Sequence, residues 1–125
     1  MTVRNLDGAG LVPVPEEALQ AAREEVARVR AEPELFEYIV SIVRATRNSP
    51  AVSLGASPRA AIAMMLAAKA IAAIEGRNFM IPDDVKSAAP PILRHRMLLK
   101  PEADLEGITP DQIVEEVLSA IAVPK

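Results

Sequence analysis

Cysteine is absent and histidine occurs once, at His95. Without thiols there is no disulfide scaffold, no thiolate metal site and no cysteine nucleophile. A single imidazole also excludes metal centres built from several histidines. Phe36, Tyr38 and Phe79 are the only aromatic residues, too few for a platform on which nucleic-acid bases stack. None of the five glycines opens a GxxxxGK[ST] phosphate loop or a GxGxxG turn. The longest apolar-rich run, Ala60–Ile74, contains Lys69 and is shorter than the roughly 20 residues that span a bilayer. No basic-then-apolar leader opens the sequence, so the cytoplasm is the expected compartment.

Catalytic groups are equally scarce. His95 lies between Arg94 and Arg96 and reads as a structural residue at a helix end rather than a general base. The pairs Asp83/Asp84 and Glu115/Glu116 read as a helix start and a solvent-facing pair. No residue of the chain is assigned to catalysis or to a metal.

What is present is a chain of 125 residues, half of them hydrophobic and a quarter charged, which suits one soluble globular domain. The net charge of −3 hides a division: residues 1–40 carry −4, residues 41–100 carry +6 and residues 101–125 carry −5. A basic middle between acidic ends points either to an anionic partner or to ends that fold back and neutralise the centre.

Helical signals dominate. After an irregular start with turn signals at Asp7-Gly8 and Gly10, a helix is predicted from Pro15 to Arg30, with Glu16 and Glu17 at its positive end. Its apolar seam of Leu19, Ala22, Val26 and Val29 is narrow, which suits a peripheral element or a connector. A second helix runs from Pro33 to Arg47 on the spacing of Leu35, Phe36, Ile39, Ile42 and Val43, and Asn48-Ser49-Pro50 stops it. Ser57 as N-cap and Pro58 as first residue start a third helix, which Gly76 ends. Its residues from Ala60 to Ile74 are almost all apolar, so it is expected to be a long, buried central helix. A short extended link, Asn78–Ile81, leads to a helix opening at Pro82-Asp83-Asp84 with Val85, Ala88, Ala89 and Ile92 inward. Pro90 and Pro91 predict a kink or restart there, before an end near Arg96. Thr109-Pro110-Asp111-Gln112 has capping-box spacing and opens a last helix with Ile113, Val114, Val117, Leu118 and Ile121 inward. Four or five helices and no alternating strand make an all-α small helical bundle.

One residue opposes local preference. Arg59 places a cation in the first turn of the central helix, where free N–H groups and the dipole favour anions. Its guanidinium suits phosphate oxygens, and a residue that breaks a local rule is a candidate for function. Arg77, Arg94 and Arg96 instead follow helix ends, where positive charge is stabilising, and read as structural. Arg44 and Arg47 are candidates for a face turned to a partner.

The stretch Tyr38-Ile39-Val40…Arg44-Ala45-Thr46-Arg47, followed by Leu54-Gly55-Ala56-Ser57-Pro58-Arg59-Ala60, resembles the lid of MoxR-type AAA+ ATPases, in the magnesium-chelatase-related branch. The likeness continues through Ala67-Ala68-Lys69-Ala70, Glu75-Gly76-Arg77, Pro82-Asp83-Asp84-Val85 and Leu93-Arg94-His95-Arg96, and covers about residues 30–124. It implies a helical AAA+ lid over residues 31–125, with residues 1–30 as connector and peripheral helix. By the same resemblance Arg59 is the sensor 2 arginine, contacting ATP phosphate and supported by Gly55, Ser57 and Pro58. Partners implied are an AAA+ nucleotide-binding core, a hexameric ring in the full-length protein, and an unidentified client of a chaperone-like activity. ATP and Mg2+ are the implied cofactors of the full-length enzyme. Walker A, Walker B, sensor 1 and the arginine finger belong to a core this chain lacks, so the chain alone is expected to be an inactive monomer, separately expressed or encoded.

Two rival readings remain at this point. A long central helix, a short link and an Ile-Pro-Asp-Asp-Val helix start also occur in histone folds, which makes a helical module binding nucleic acid or a protein partner the alternative. Negative net charge and few aromatics count against nucleic acid. A plain adaptor bundle docking a separate ATPase core by an apolar face is the other.

Overall fold

Helix α1 (Glu16–Ala27) is the first element of residues 10–125, the part of the chain that the computed structural model describes; the turn signals at Asp7-Gly8 lie outside the described residues. Helix α1 has no buried residue and lies against the outside of α3 (Pro58–Ile74). It ends before Arg30 because the chain there turns extended. Val29 enters the core, the Arg30 N–H donates to the Asn78 carbonyl at 2.9 Å, and the Arg30 carbonyl accepts from the Met80 N–H at 2.8 Å.

Helix α2 (Pro33–Asn48) buries Leu35, Tyr38, Ile39, Ile42, Val43 and Thr46, the expected spacing with one exchange. Tyr38 points inward, while Phe36 is 51% exposed. Strand β1 (Val52–Leu54) follows, then α3, then α4 (Pro82–Leu93), strand β2 (Leu98–Leu99), α5 (Pro101–Leu105) and α6 (Pro110–Ala120). The two strands pair antiparallel, Val52 with Leu99 and Leu54 with Leu98. This small sheet and the single-turn α5 were not expected from the sequence, but they leave the architecture an all-α bundle.

Helix α3 is central, packed on α4, α2 and α1. Ala60, Met64, Ala68 and Ala72 recur every four residues and are fully buried. Small side chains along such a ridge let helix axes approach closely, and α4 answers with Ala88 and Ala89, also buried. The expectation that α3 is buried all round needs correcting. Ile62, Leu66 and Ile74 are 63%, 59% and 83% exposed, because its neighbours cover only part of its circumference.

The expected restart at Pro90-Pro91 does not occur either, and the helix ends at Leu93 rather than near Arg96. Helix α4 runs through both prolines, and the Arg94 N–H closes it on the Pro90 carbonyl at 3.0 Å. The lost N–H groups fall in the final turn of a helix whose inner face is held by Val85, Ala88, Ala89 and Leu93, so packing outweighs the local clash. The capping box of α6 forms as read: the Gln112 N–H donates to Thr109 Oγ1 at 3.3 Å and the Thr109 N–H to Gln112 Oε1 at 2.9 Å.

Candidate functional site

Arg59 sits in the first turn of α3, exposed to solvent. Pro58 is the first helical residue and Ser57 the N-cap, its carbonyl accepting the Ala60 N–H at 2.9 Å. The Ser57 hydroxyl makes no capping bond, which corrects the role expected of its side chain. An uncapped first turn leaves N–H groups free at the positive end of the dipole. Among the described residues Arg59 forms no ion pair and no side-chain hydrogen bond.

The turn before α3 is fixed against the end of α2. The Ala56 N–H donates to Thr46 Oγ1 at 3.0 Å, and the Ala56 carbonyl accepts from Arg47 Nε at 2.8 Å. Gly55 is needed for this close approach, since a Cβ there would stand 2.6 Å from Arg47 Cα and 2.7 Å from its backbone nitrogen. The structure thus gathers Gly55, Ser57, Pro58 and Arg59 at one end of the bundle. It adds Thr46, which the sequence reading had not singled out; the signal was a threonine beside an arginine at a helix end, without the contact partner that gives it meaning.

Beside this turn lies a groove of 370 Å³ between α2 and α3, lined by Phe36, Val40, Val43, Ala61 and Ile62, with Arg44, Arg47 and Pro58 at its rim. Arg44 and Arg47 are exposed and, like Arg59, have no acidic partner among the described residues. An apolar floor with cations at one end can seat an apolar surface bearing anions. A wider depression of 730 Å³ along α6 is lined by Glu115 and Glu116, a charge unsuited to phosphate. No group of three or more His, Asp or Glu among the described residues could hold a metal ion. The residues present therefore fit a phosphate and give no cluster of ligands for Mg2+.

Three other arginines, Arg77, Arg94 and Arg96, are occupied. Arg77 makes two bonds to Asp84, at 2.7 and 2.6 Å, donates to the Phe79 carbonyl at 3.0 Å and lies over the Phe79 ring. Asp84 also accepts the Ile81 N–H at 2.8 Å, which closes the start of α4. Burial pushes the Asp84 carboxyl up, but the bond from Arg77, the Ile81 N–H and the Arg77 charge together hold it below its ordinary value. The same bond to Asp84 raises Arg77. Arg94 pairs with Asp111 at 3.0 Å, and Arg96 donates to the Ile92 carbonyl at 2.9 Å. His95 is exposed. No helix of the described residues is long and apolar enough to cross a membrane.

Comparison with known proteins agrees with this arrangement. Residues 44–117 match the AAA lid domain family. The chain is 51% identical over 102 residues to the uncharacterized protein YeaC of Bacillus subtilis, covering 82% of this chain and 32% of that protein. It is 36% identical over 100 residues to the chaperone MoxR1 of Mycobacterium tuberculosis, covering 73% of this chain and 26% of that protein. The crystal structure of a candidate ATPase from Cytophaga hutchinsonii superposes with a TM-score of 0.78 at 30% identity, over 92% of this chain and 45% of that one. The chain spans a third or less of the length of these curated relatives. With overall fold and sequence in agreement, this chain belongs to the AAA lid domain family and is a lid of the MoxR type.

Proposed function

We propose that the chain is the C-terminal lid of a MoxR-like AAA+ ATPase and that Arg59 is its sensor 2 arginine. One observation carries the reading: a guanidinium stands exposed, without an acidic partner, at an end of α3 that no side chain caps. Residues 31–125 form the lid in this reading, and residues 1–30 lead into it from the nucleotide-binding core. The groove between α2 and α3 is the face turned to that core, which supplies the ligands of Mg2+.

Phosphoryl transfer depends on positioning and on charge stabilisation around the transferred group. ATP supplies the phosphate charge; Arg59 binds it and neutralises part of it from the lid side. Because Arg59 meets more charge on ATP than on ADP, its contact favours one lid orientation over the other by the difference in affinity. The close-packed α3 passes that rotation to the bundle. Assembly as a hexameric ring in the cytoplasm belongs to the same reading, as does chaperone-like action on a client protein, and only this last part has support in the name of the mycobacterial relative.

Replacing Arg59 by Ala in the full-length enzyme is expected to lower ATP turnover on the order of 10²-fold, the usual effect of deleting one charge-stabilising donor. The melting temperature should stay unchanged. Unchanged turnover rejects the assignment.

A further inference from the structure

We infer that Thr46 and Arg47 are positioning residues for Arg59, acting through the backbone of Ala56. The inference rests on the sensor 2 reading above and names what keeps that arginine in place.

Two consecutive side chains of α2 hold both polar groups of one peptide residue. Thr46 Oγ1 donates to the Val43 carbonyl at 2.6 Å, which commits its proton to α2 and leaves a lone pair for the Ala56 N–H at 3.0 Å. Arg47 Nε takes the Ala56 carbonyl at 2.8 Å. Thr46 and Ala56 are both fully buried, so neither the hydroxyl nor the amide has water as a substitute partner. Gly55 lets the strand of chain lie directly on Arg47.

Little slack remains between this clamp and Arg59. Ser57 intervenes, then Pro58, whose ring fixes one backbone rotation, and from there the helix sets the path. The direction in which Arg59 leaves the bundle is therefore dictated by α2. A displacement of about 1 Å at a catalytic group can cost 10²-fold in rate, so the clamp has leverage far beyond the stability of two hydrogen bonds.

The test is a double-mutant cycle in the full-length ATPase, read both as ATP turnover and as the ratio of equilibrium affinities for fluorescent ATP and ADP analogues. Thr46→Val removes the hydroxyl at constant shape and should lower turnover about 10-fold and shrink the affinity ratio. Thr46→Ser keeps the hydroxyl and should retain both. In an Arg59→Ala background Thr46→Val should cost little more, because both changes remove the same contact. Thr109→Ala weakens the α6 cap at a distance and should leave turnover and ratio alone. Should Thr46→Val not fold, Arg47→Met, which keeps the stem over Gly55 but loses the bond to the carbonyl and the charge at the groove rim, takes its place in the cycle, with Arg44→Met as the control for loss of charge alone. Full additivity with Arg59→Ala, or no effect of either clamp variant, overturns the inference while leaving the sensor reading intact. If Arg59→Ala itself changes neither readout, the sensor reading fails and this inference fails with it.

Discussion

Helix α3 has an arginine at each end, and the two live in opposite conditions. Arg77, just past the C-terminus, sits where the dipole welcomes a cation. It is gripped by two bonds to a buried carboxylate and by the Phe79 carbonyl. Arg59, in the first turn, sits where the dipole disfavours a cation and has no acidic neighbour among the described residues. The same side chain is part of the structure at one end and available to a ligand at the other. Residue type alone does not separate these roles; the difference lies in what each guanidinium already holds.

The sharpest way to break that comparison is to open the occupied end. Asp84→Ala leaves Arg77 facing a buried site without its partner. Arg77 keeps 22% exposure and can turn to water, so the loss should fall below that of a fully buried pair, at about 2–3 kcal/mol by urea denaturation. Arg59→Ala should stay within about 0.5 kcal/mol of the parent, as surface changes do. Acid gives the same contrast without mutation. The folded-state pKa of Asp84 is lowered, so its contribution is complete above the ordinary value of 3.8 and drains away as pH falls through the lowered value. Denaturation midpoints of the parent should therefore drop below about pH 4 more steeply than those of Asp84→Asn; parallel curves would show that the pair contributes nothing.

An intermediate effect is expected beside the open end. Gly55→Ala sets a Cβ against the backbone of Arg47 and should cost about 1–3 kcal/mol, the range for overpacking a rigid contact. A neutral result would mean that the turn can lift from α2. A smaller effect than that of Gly55 belongs to Tyr38, whose buried hydroxyl has no partner among the described residues and whose ionisation burial pushes up, with Asp83 adding to it. Tyr38→Phe should change stability by less than about 1 kcal/mol and in the favourable direction, because an unmatched buried polar group is removed. A loss beyond that would reveal a bond the fold conceals.

What could be read from the sequence was local. The Thr109–Gln112 box and Pro58 at the first helical position follow from local signals and formed as read, and the inward face of α2 formed with Tyr38 in the place of Phe36. What could not be read depended on distance. Strands β1 and β2 are three and two residues long and lie more than forty residues apart, so no periodicity announces them. Pro90 and Pro91 break a helix by local rules, and only the cover of α3 explains why α4 continues. A run as apolar as Ala60–Ile74 does not show which of its faces is left bare, so Ile62 and Leu66 read as core from the sequence alone. At the site, Arg59 was legible because it contradicts its own position. Thr46 was not, because its partner is ten residues away and reached across a turn.

The parallel bridge at Arg30 gives the bundle a mechanical property. Its N–H and carbonyl are tied to Asn78 and Met80, in the link between α3 and α4, while Ala56 ties the other end of α3 to α2. The central rod is thus held fore and aft by segments that precede it in the chain. With both of its backbone groups bonded, Arg30 is an anchored joint between α1 and the bundle rather than a free swivel.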